Sequence, residues 1–157
     1  MDALTLAGRR YSIVRAVADD LPALVALLAD DVLGRERESN DLGPYETAFA
    51  RIDQDPNQLL LAVRDEEGTL VATMQLTLVP SLSRGGALRL QIEAVRVAGS
   101  TRGTGLGTAL FDWAHTWGRR QGAVLAQLTT DATRLDAHRF YERLGYAASH
   151  VGMKLDL

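Results

Sequence analysis

From Leu70 to Val79, apolar Leu70, Ala72, Met74, Leu76 and Leu78 alternate with Thr73, Gln75 and Thr77. Successive side chains of a strand point to opposite faces, so this period of two predicts a long strand with one buried face. Leu59–Arg64 and Tyr11–Ala16 are shorter β-rich runs, the former joined to the long strand by the turn Asp65-Glu66-Glu67-Gly68. Other stretches follow a helical period. Leu21, Leu24, Val25, Leu28 and Val32 make one stripe behind Asp20, a candidate N-cap, and Pro22, which suits a first turn. Pro44 opens a second predicted helix that ends by Pro56. The charged stretch Gly34–Asp41 between them reads as an exposed loop, either a solvated linker or a segment that touches substrate.

The strand Leu88–Val97 changes phase. Leu88, Leu90 and Ile92 hold even positions against Arg89, Gln91 and Glu93, after which Val95 and Val97 hold odd positions around Arg96. A strand cannot exchange its faces without an inserted residue, so the pattern predicts a β-bulge near Glu93–Val95. A strand buried on both faces in its second half is the alternative. The run Gly99–Gly107 opens a helix with the stripe Leu106, Leu110, Trp113 and Trp117, closed by Gly122. Val124–Leu128 is expected to be a strand, Leu135–Leu144 a helix stopped by Gly145, and Tyr146–Leu157 a final strand. The order β-α-α-β-β-β-α-β-α-β implies an α/β fold with a mixed, mostly antiparallel central sheet flanked by helices.

Composition narrows the function. A chain of 157 residues, 46% hydrophobic and 24% charged, fits one globular domain over 1–157. A net charge of −3 lacks the basic footprint of a nucleic-acid binder, so no such partner is expected. The absence of cysteine excludes disulfides, zinc-thiolate sites and thiol nucleophiles, and fits a reducing cytoplasm. No spacing of histidines and carboxylates suits a metal, so none is expected. The first residues, MDALTLAGRRYSIV, carry no signal-peptide pattern, and no apolar run approaches the ~18 residues of a membrane span. A cytoplasmic protein without membrane contact is the expectation.

Candidate chemistry lies in Arg102-Gly103-Thr104-Gly105-Leu106-Gly107, between a strand and a helix. Helix N-termini expose unpaired N–H groups with partial positive charge, and glycine lets the backbone approach an anion closely. A pyrophosphate-binding turn follows; a tight strand-to-helix turn without a ligand is the alternative. A Walker A loop is excluded, since no GxxxxGK[ST] string occurs. The dinucleotide fingerprint GxGxxG fails because position 108 is Thr108, although Asp131 imitates its ribose-binding acid.

Arg102, Gly105 and Gly107 do match [Q/R]xxGx[G/A], and in this the chain resembles the GCN5-related N-acetyltransferase superfamily. Two further segments are similar to that family: Ile92-Glu-Ala-Val-Arg-Val97 to its bulged fourth strand, and Ala137–Tyr146 to its last helix, AxxFYxxxGF, with Tyr146 for the final Phe. The resemblance implies a fold whose fourth strand splays from the next, and acetyl-CoA as cosubstrate. It also implies that backbone groups of Val95 and Val97 pair with the pantetheine arm. The amides of Arg102, Gly103, Thr104, Gly105, Leu106, Gly107 and Thr108 would hold the pyrophosphate. Acetyl transfer to a primary amine of a small molecule or peptide is the implied activity.

That chemistry requires deprotonation of the amine, stabilisation of charge on the thioester oxygen, and a donor for the departing thiolate. Glu93 is the candidate base, with an ordinary outward-facing strand carboxylate as the alternative. The N–H of Val95 is the candidate donor to the oxygen. Tyr141 matches the family's thiolate-protonating tyrosine, unless it is an aromatic packed into the sheet. His138 and His150 read as structural hydrogen-bonders, with contact to CoA or a role as base as the alternative, and His115 reads as solvated. Trp113 and Trp117 read as core or interface residues, which leaves a homodimer open. A protein lysine or N-terminal acetyltransferase and a non-catalytic CoA-binding sensor are the competing functions. The acceptor pocket is expected from the Gly34–Asp41 and Pro80–Gly86 loops, whose patterns name no substrate.

Overall fold

Among the described residues six strands form one sheet in the order β1-β2-β3-β4-β5-β6, each beside its neighbour in sequence. They are β1 (Asp2–Leu6), β2 (Arg9–Arg15), β3 (Gln58–Arg64), β4 (Leu70–Pro80), β5 (Leu88–Val97) and β6 (Leu125–Leu128). The main helices among the described residues are α1 (Leu21–Ala29), α2 (Gly43–Gln54), α3 (Leu106–Arg120) and α4 (Leu135–Arg143). The structure is a computed structural model and describes residues 2–30 and 37–156. The first five strands run antiparallel, pair by pair. Contacts between β5 and β6 ascend together, Leu88 with Val124 and Gln91 with Gln127. That last pair is therefore parallel, and α3 makes the crossover between its strands.

The chain divides into two compact units, Met1–Gln127 and Leu128–Leu157. In the first, alternation along the strands sorts residues onto two faces. One face carries Leu61, Val63, Met74, Leu76, Leu90 and Ile92, all buried, and is covered by the buried stripe of α3: Leu106, Leu110, Phe111 and Ala114. The opposite face is covered over β2 and β3, where Ala16, Leu24 and Ala62 pack with Val14, Phe49, Leu60 and Leu70. Each such aliphatic side chain contributes roughly 1.5–3 kcal/mol when fully buried.

Several expectations need correction. Strand β1 has no counterpart among the expected elements. It forms a hairpin with β2 through Ala7 and Gly8, both at positive φ (50° and 80°), as a two-residue turn between twisted strands requires. The final strand over Tyr146–Leu157 does not form among its described residues, and Val151, Met153 and Leu155 stand exposed. The buried stripe of α3 runs through Phe111, Ala114 and Gly118, leaving Trp113 and Trp117 half-buried. The cause is close packing: a Cβ at Gly118 would lie 2.7 Å from Cδ2 of Leu90. Trp113 instead donates from Nε1 to Asp2 Oδ2 at 2.8 Å, tying α3 to β1. Asp20 precedes α1 as expected but does not cap it with its side chain. Its buried carboxylate accepts from the Val17 N–H at 3.0 Å and pairs with Arg64. Val32, and residues 34–36 of the predicted loop, lie outside the described residues.

Candidate active site

The expected bulge is present in β5. Gln75 pairs with Glu93 and Thr73 with Arg96, so Ala94 and Val95 together oppose Met74. Ala94 takes φ 50°, a left-handed conformation that costs a non-glycine residue on the order of 1 kcal/mol. The inserted residue explains the sequence phase change. Val97 returns to the face of Ala72, its register partner, while Arg89, Gln91, Glu93 and Arg96 share the other face. The four residues of β6 can match only part of the ten of β5.

Glu93 is exposed at the edge of the bulge, and its carboxylate has no side-chain partner among the described residues. Around it the polar face of β3–β6 is closely hydrogen-bonded. Gln58 Oε1 accepts from Gln75 Nε2 at 3.0 Å and from Thr77 Oγ1 at 2.8 Å. Gln127 Nε2 donates to Gln91 Oε1 at 2.7 Å, and Arg89 reaches Gln127 Oε1 only at 3.5 Å. The phase of β5 already put Arg89, Gln91 and Glu93 on one face. Nothing in the sequence paired them with Gln127, thirty-odd residues on.

After the Ala98 N–H bonds Val71 O at 2.8 Å, the chain leaves the sheet in a short turn. Thr101 Oγ1 and Thr104 Oγ1 both donate backward, to Ala98 O and Thr101 O, so neither hydroxyl caps α3. The N-cap is Gly105, at φ 86° and without a side chain. The first helical bond is Ala109 N–H to Gly105 O. The N–H groups of Gly105, Leu106, Gly107 and Thr108 thus have no acceptor among the described residues, and neither has that of Gly103. Four orphan amides at a positive helix end fit an anion. Arg102 stands exposed beside them. Gly103 and Gly105 are required by their positive φ rather than by space, since a Cβ at either would meet nothing within 4 Å.

In the second unit α4 ends in a Schellman turn at Gly145, φ 89°, with Tyr146 N–H bonded to Tyr141 O and Gly145 N–H to Glu142 O. Tyr141 is half-buried, its ring 5.4 Å from that of Phe140 and 6.1 Å from that of Tyr146. Burial, reinforced by the neighbouring Tyr141, pushes the Tyr146 phenol up to about 12, which leaves it a poor proton donor. His138 Nε2 lies 2.9 Å from Asp131 O, and His150 Nδ1 2.8 Å from Ser149 Oγ, so both make local structural contacts. His115 is not solvated as expected. It is half-buried against Phe111, and burial, aided by Arg119, lowers its pKa below the usual imidazole value. No helix is long and apolar enough to cross a membrane, and no cluster of three potential metal ligands occurs among the described residues.

Comparison with known proteins fits this geometry. The profile of the Acetyltransferase (GNAT) family matches residues 23–146. An aminoalkylphosphonate N-acetyltransferase of Salmonella typhimurium is 32% identical over 136 residues, 86% of this chain and 84% of its own. A glucosamine 6-phosphate N-acetyltransferase of Trypanosoma brucei brucei is 37% identical over 90 residues, 57% of this chain and 59% of its own. A solved structure described as a transcriptional regulator from Bacillus halodurans C-125 superposes with a TM-score of 0.88 at 41% identity, covering 94% of this chain and 99% of that one. A bulged strand that runs into a turn of unengaged amides, together with these matches, places the chain in the GNAT family as an acetyl-CoA-dependent N-acetyltransferase that acts on amines.

Proposed function

We propose that this chain transfers the acetyl group of acetyl-CoA to the primary amine of a small molecule that carries an anionic phosphorus group, by direct attack of the amine on the thioester. The observation that carries the proposal is the run of orphan amides from Gly105 to Thr108 directly behind the bulge of β5. The two relatives named for their substrates support the acceptor class: each acts on an amine that also bears a phosphonate or phosphate. Peptide amines remain the wider alternative within the same chemistry.

Bound acetyl-CoA supplies the activated acyl group, and the residues of this chain do the rest. The amides of Gly103 and Gly105–Thr108 hold the pyrophosphate, whereas those of Arg102 and Thr104, also expected there, donate within the turn to Gly99 O at 3.3 Å and Thr101 O at 3.4 Å; the backbone of Val95 and Val97 receives the pantetheine arm as an added strand. An amine arrives as ammonium, with pKa near ~10 if lysine-like, so a proton must leave before attack. Glu93, directly or through water, takes that proton. The Val95 N–H, beside the inserted residue, donates to the acyl oxygen as charge develops there. Tyr141 gives a proton or a hydrogen bond to the departing thiolate. The whole of 1–157 acts as one catalytic domain.

One observation favours a second reading. The structure at 41% identity is described as a transcriptional regulator, which would suit a CoA-binding sensor without turnover. The test is free-thiol release from acetyl-CoA with a panel of amines, among them 2-aminoethylphosphonate, glucosamine 6-phosphate and a lysine peptide. Thiol release that needs an amine, fastest with the phosphorus-bearing ones, is the expected result. CoA binding without any amine-dependent release would favour the sensor.

A further inference from the structure

Arg89 lies on β5 four residues before Glu93 and on the same face of the sheet. At ~3.3 Å of rise per residue the two Cα atoms stand ~13 Å apart, and the long arginine side chain spans part of that interval. A guanidinium has five N–H donors in a rigid fork. Here one of them meets an acceptor, Gln127 Oε1, at 3.5 Å, the very limit of a hydrogen bond. Its Nε is buried and has no partner among the described residues. No carboxylate lies within ion-pairing distance of Arg89 among the described residues, whereas Arg15, Arg64 and Arg139 are each paired with an aspartate.

A half-buried cation with idle donors is costly, because desolvation is not offset by a counter-charge. Gln127 and Gln91 cannot supply the charge. They bond each other at 2.7 Å and hold the amide oxygen of Gln127 toward Arg89, which fixes where the fork lies. On the β4 side the face is neutral and already satisfied through Gln58, Gln75 and Thr77. The open acid on this face is Glu93, at the other end of the trough.

We propose that Arg89 is the specificity residue of the acceptor site: its guanidinium, steadied by Gln127, binds the anionic group of the acceptor while the amine sits at Glu93. This rests on the acceptor reading above and assigns it a residue. The phosphonate or phosphate supplies the missing counter-charge in bidentate form, and the spacing along β5 sets the distance from anion to amine. An amine of the same length without an anionic group gains nothing from Arg89.

The test uses the full chain saturated with CoA, titrated calorimetrically with 2-aminoethylphosphonate and with propylamine, and the same two acceptors in turnover with acetyl-CoA. Arg89→Gln should weaken aminophosphonate binding and raise its KM roughly 10–100-fold, as for loss of a charge-assisted hydrogen bond. The kcat/KM for propylamine and the KM for acetyl-CoA should move less than twofold, which also reports that the variant is folded. Arg89→Lys, keeping charge without the fork, should fall between. Equal losses for both acceptors, or wild-type binding of the aminophosphonate no tighter than propylamine, would overturn the proposal. Arg89-dependent aminophosphonate binding without turnover of any amine would sustain Arg89 and overturn the transfer reading. Turnover of both amines without preference would do the reverse.

Discussion

Glu93 and Tyr141 differ in what surrounds them, and that difference sets how each is tested. Glu93 is exposed, with no side-chain partner among the described residues, so Glu93→Gln should leave stability nearly unchanged. If its carboxylate is the base, kcat/KM at neutral pH should fall by ~10²–10⁴-fold. The loss should shrink as pH rises toward the amine pKa, because the acceptor then arrives deprotonated. A wild-type rate at neutral pH would reduce Glu93 to an ordinary strand carboxylate. Tyr141 is half-buried among aromatic rings, so Tyr141→Phe keeps the packing and removes only the hydroxyl. The expected result is lower kcat with CoA affinity kept. A variant within twofold of the wild-type kcat would show that the hydroxyl is not the required donor.

At the scale of the element, two glycines of the β5–α3 unit have opposite reasons to be glycine. Gly105 needs its φ of 86° but has open space around it, whereas Gly118 needs the space, with Leu90 2.7 Å from where a Cβ would lie. Gly105→Val should therefore weaken CoA binding, since a β-branched residue resists the left-handed cap that aims the amides. Gly118→Ala should lower stability by about 1–3 kcal/mol through overpacking, with CoA affinity little changed. Thermal melts and CoA titrations of both variants separate the two effects; equal loss of affinity would contradict the division. Sequence shows the first glycine and hides the second. The pattern from Arg102 to Gly107 is local, and so is the shift of apolar parity between Ile92 and Val95 that marks the bulge. Gly118 owes its role to Leu90, far off in sequence, which no local period reports. The apolar spacing of α3 points toward Trp113 and Trp117 for the same reason: small Ala114 and Gly118 give no apolar signal until the sheet they approach is known.

For the whole molecule, the main elements from β2 to α4 are legible in the sequence, and the expectations fail at the two ends of the fold. Strand β1 is only five residues long, three of them exposed, too short to set a period of its own. The segment from Tyr146 carries the alternation of a strand in Val151, Met153 and Leu155, yet no ladder takes it up among the described residues. The Arg89–Gln127 contact joins residues 38 apart and becomes visible only when α3 carries the chain back beside β5. What did survive at this scale is the choice between two nucleotide folds. A dinucleotide-binding unit needs a parallel sheet behind its glycine turn, whereas β1 to β5 here are antiparallel and the turn follows a bulged strand. The two folds predict different ligands. CoA or acetyl-CoA, bound by the native chain alone at 100 times its Kd, should add ~2.7 kcal/mol and raise Tm by roughly 5–10 °C. NAD offers a pyrophosphate to the same amides but no pantetheine arm to pair with Val95 and Val97, so its shift should be small. Differential scanning measurements with each ligand at equal concentration decide the matter. A large shift with NAD and none with acetyl-CoA would mean that the amides at Gly105–Thr108 grip a different nucleotide from the one the bulged strand is built to receive.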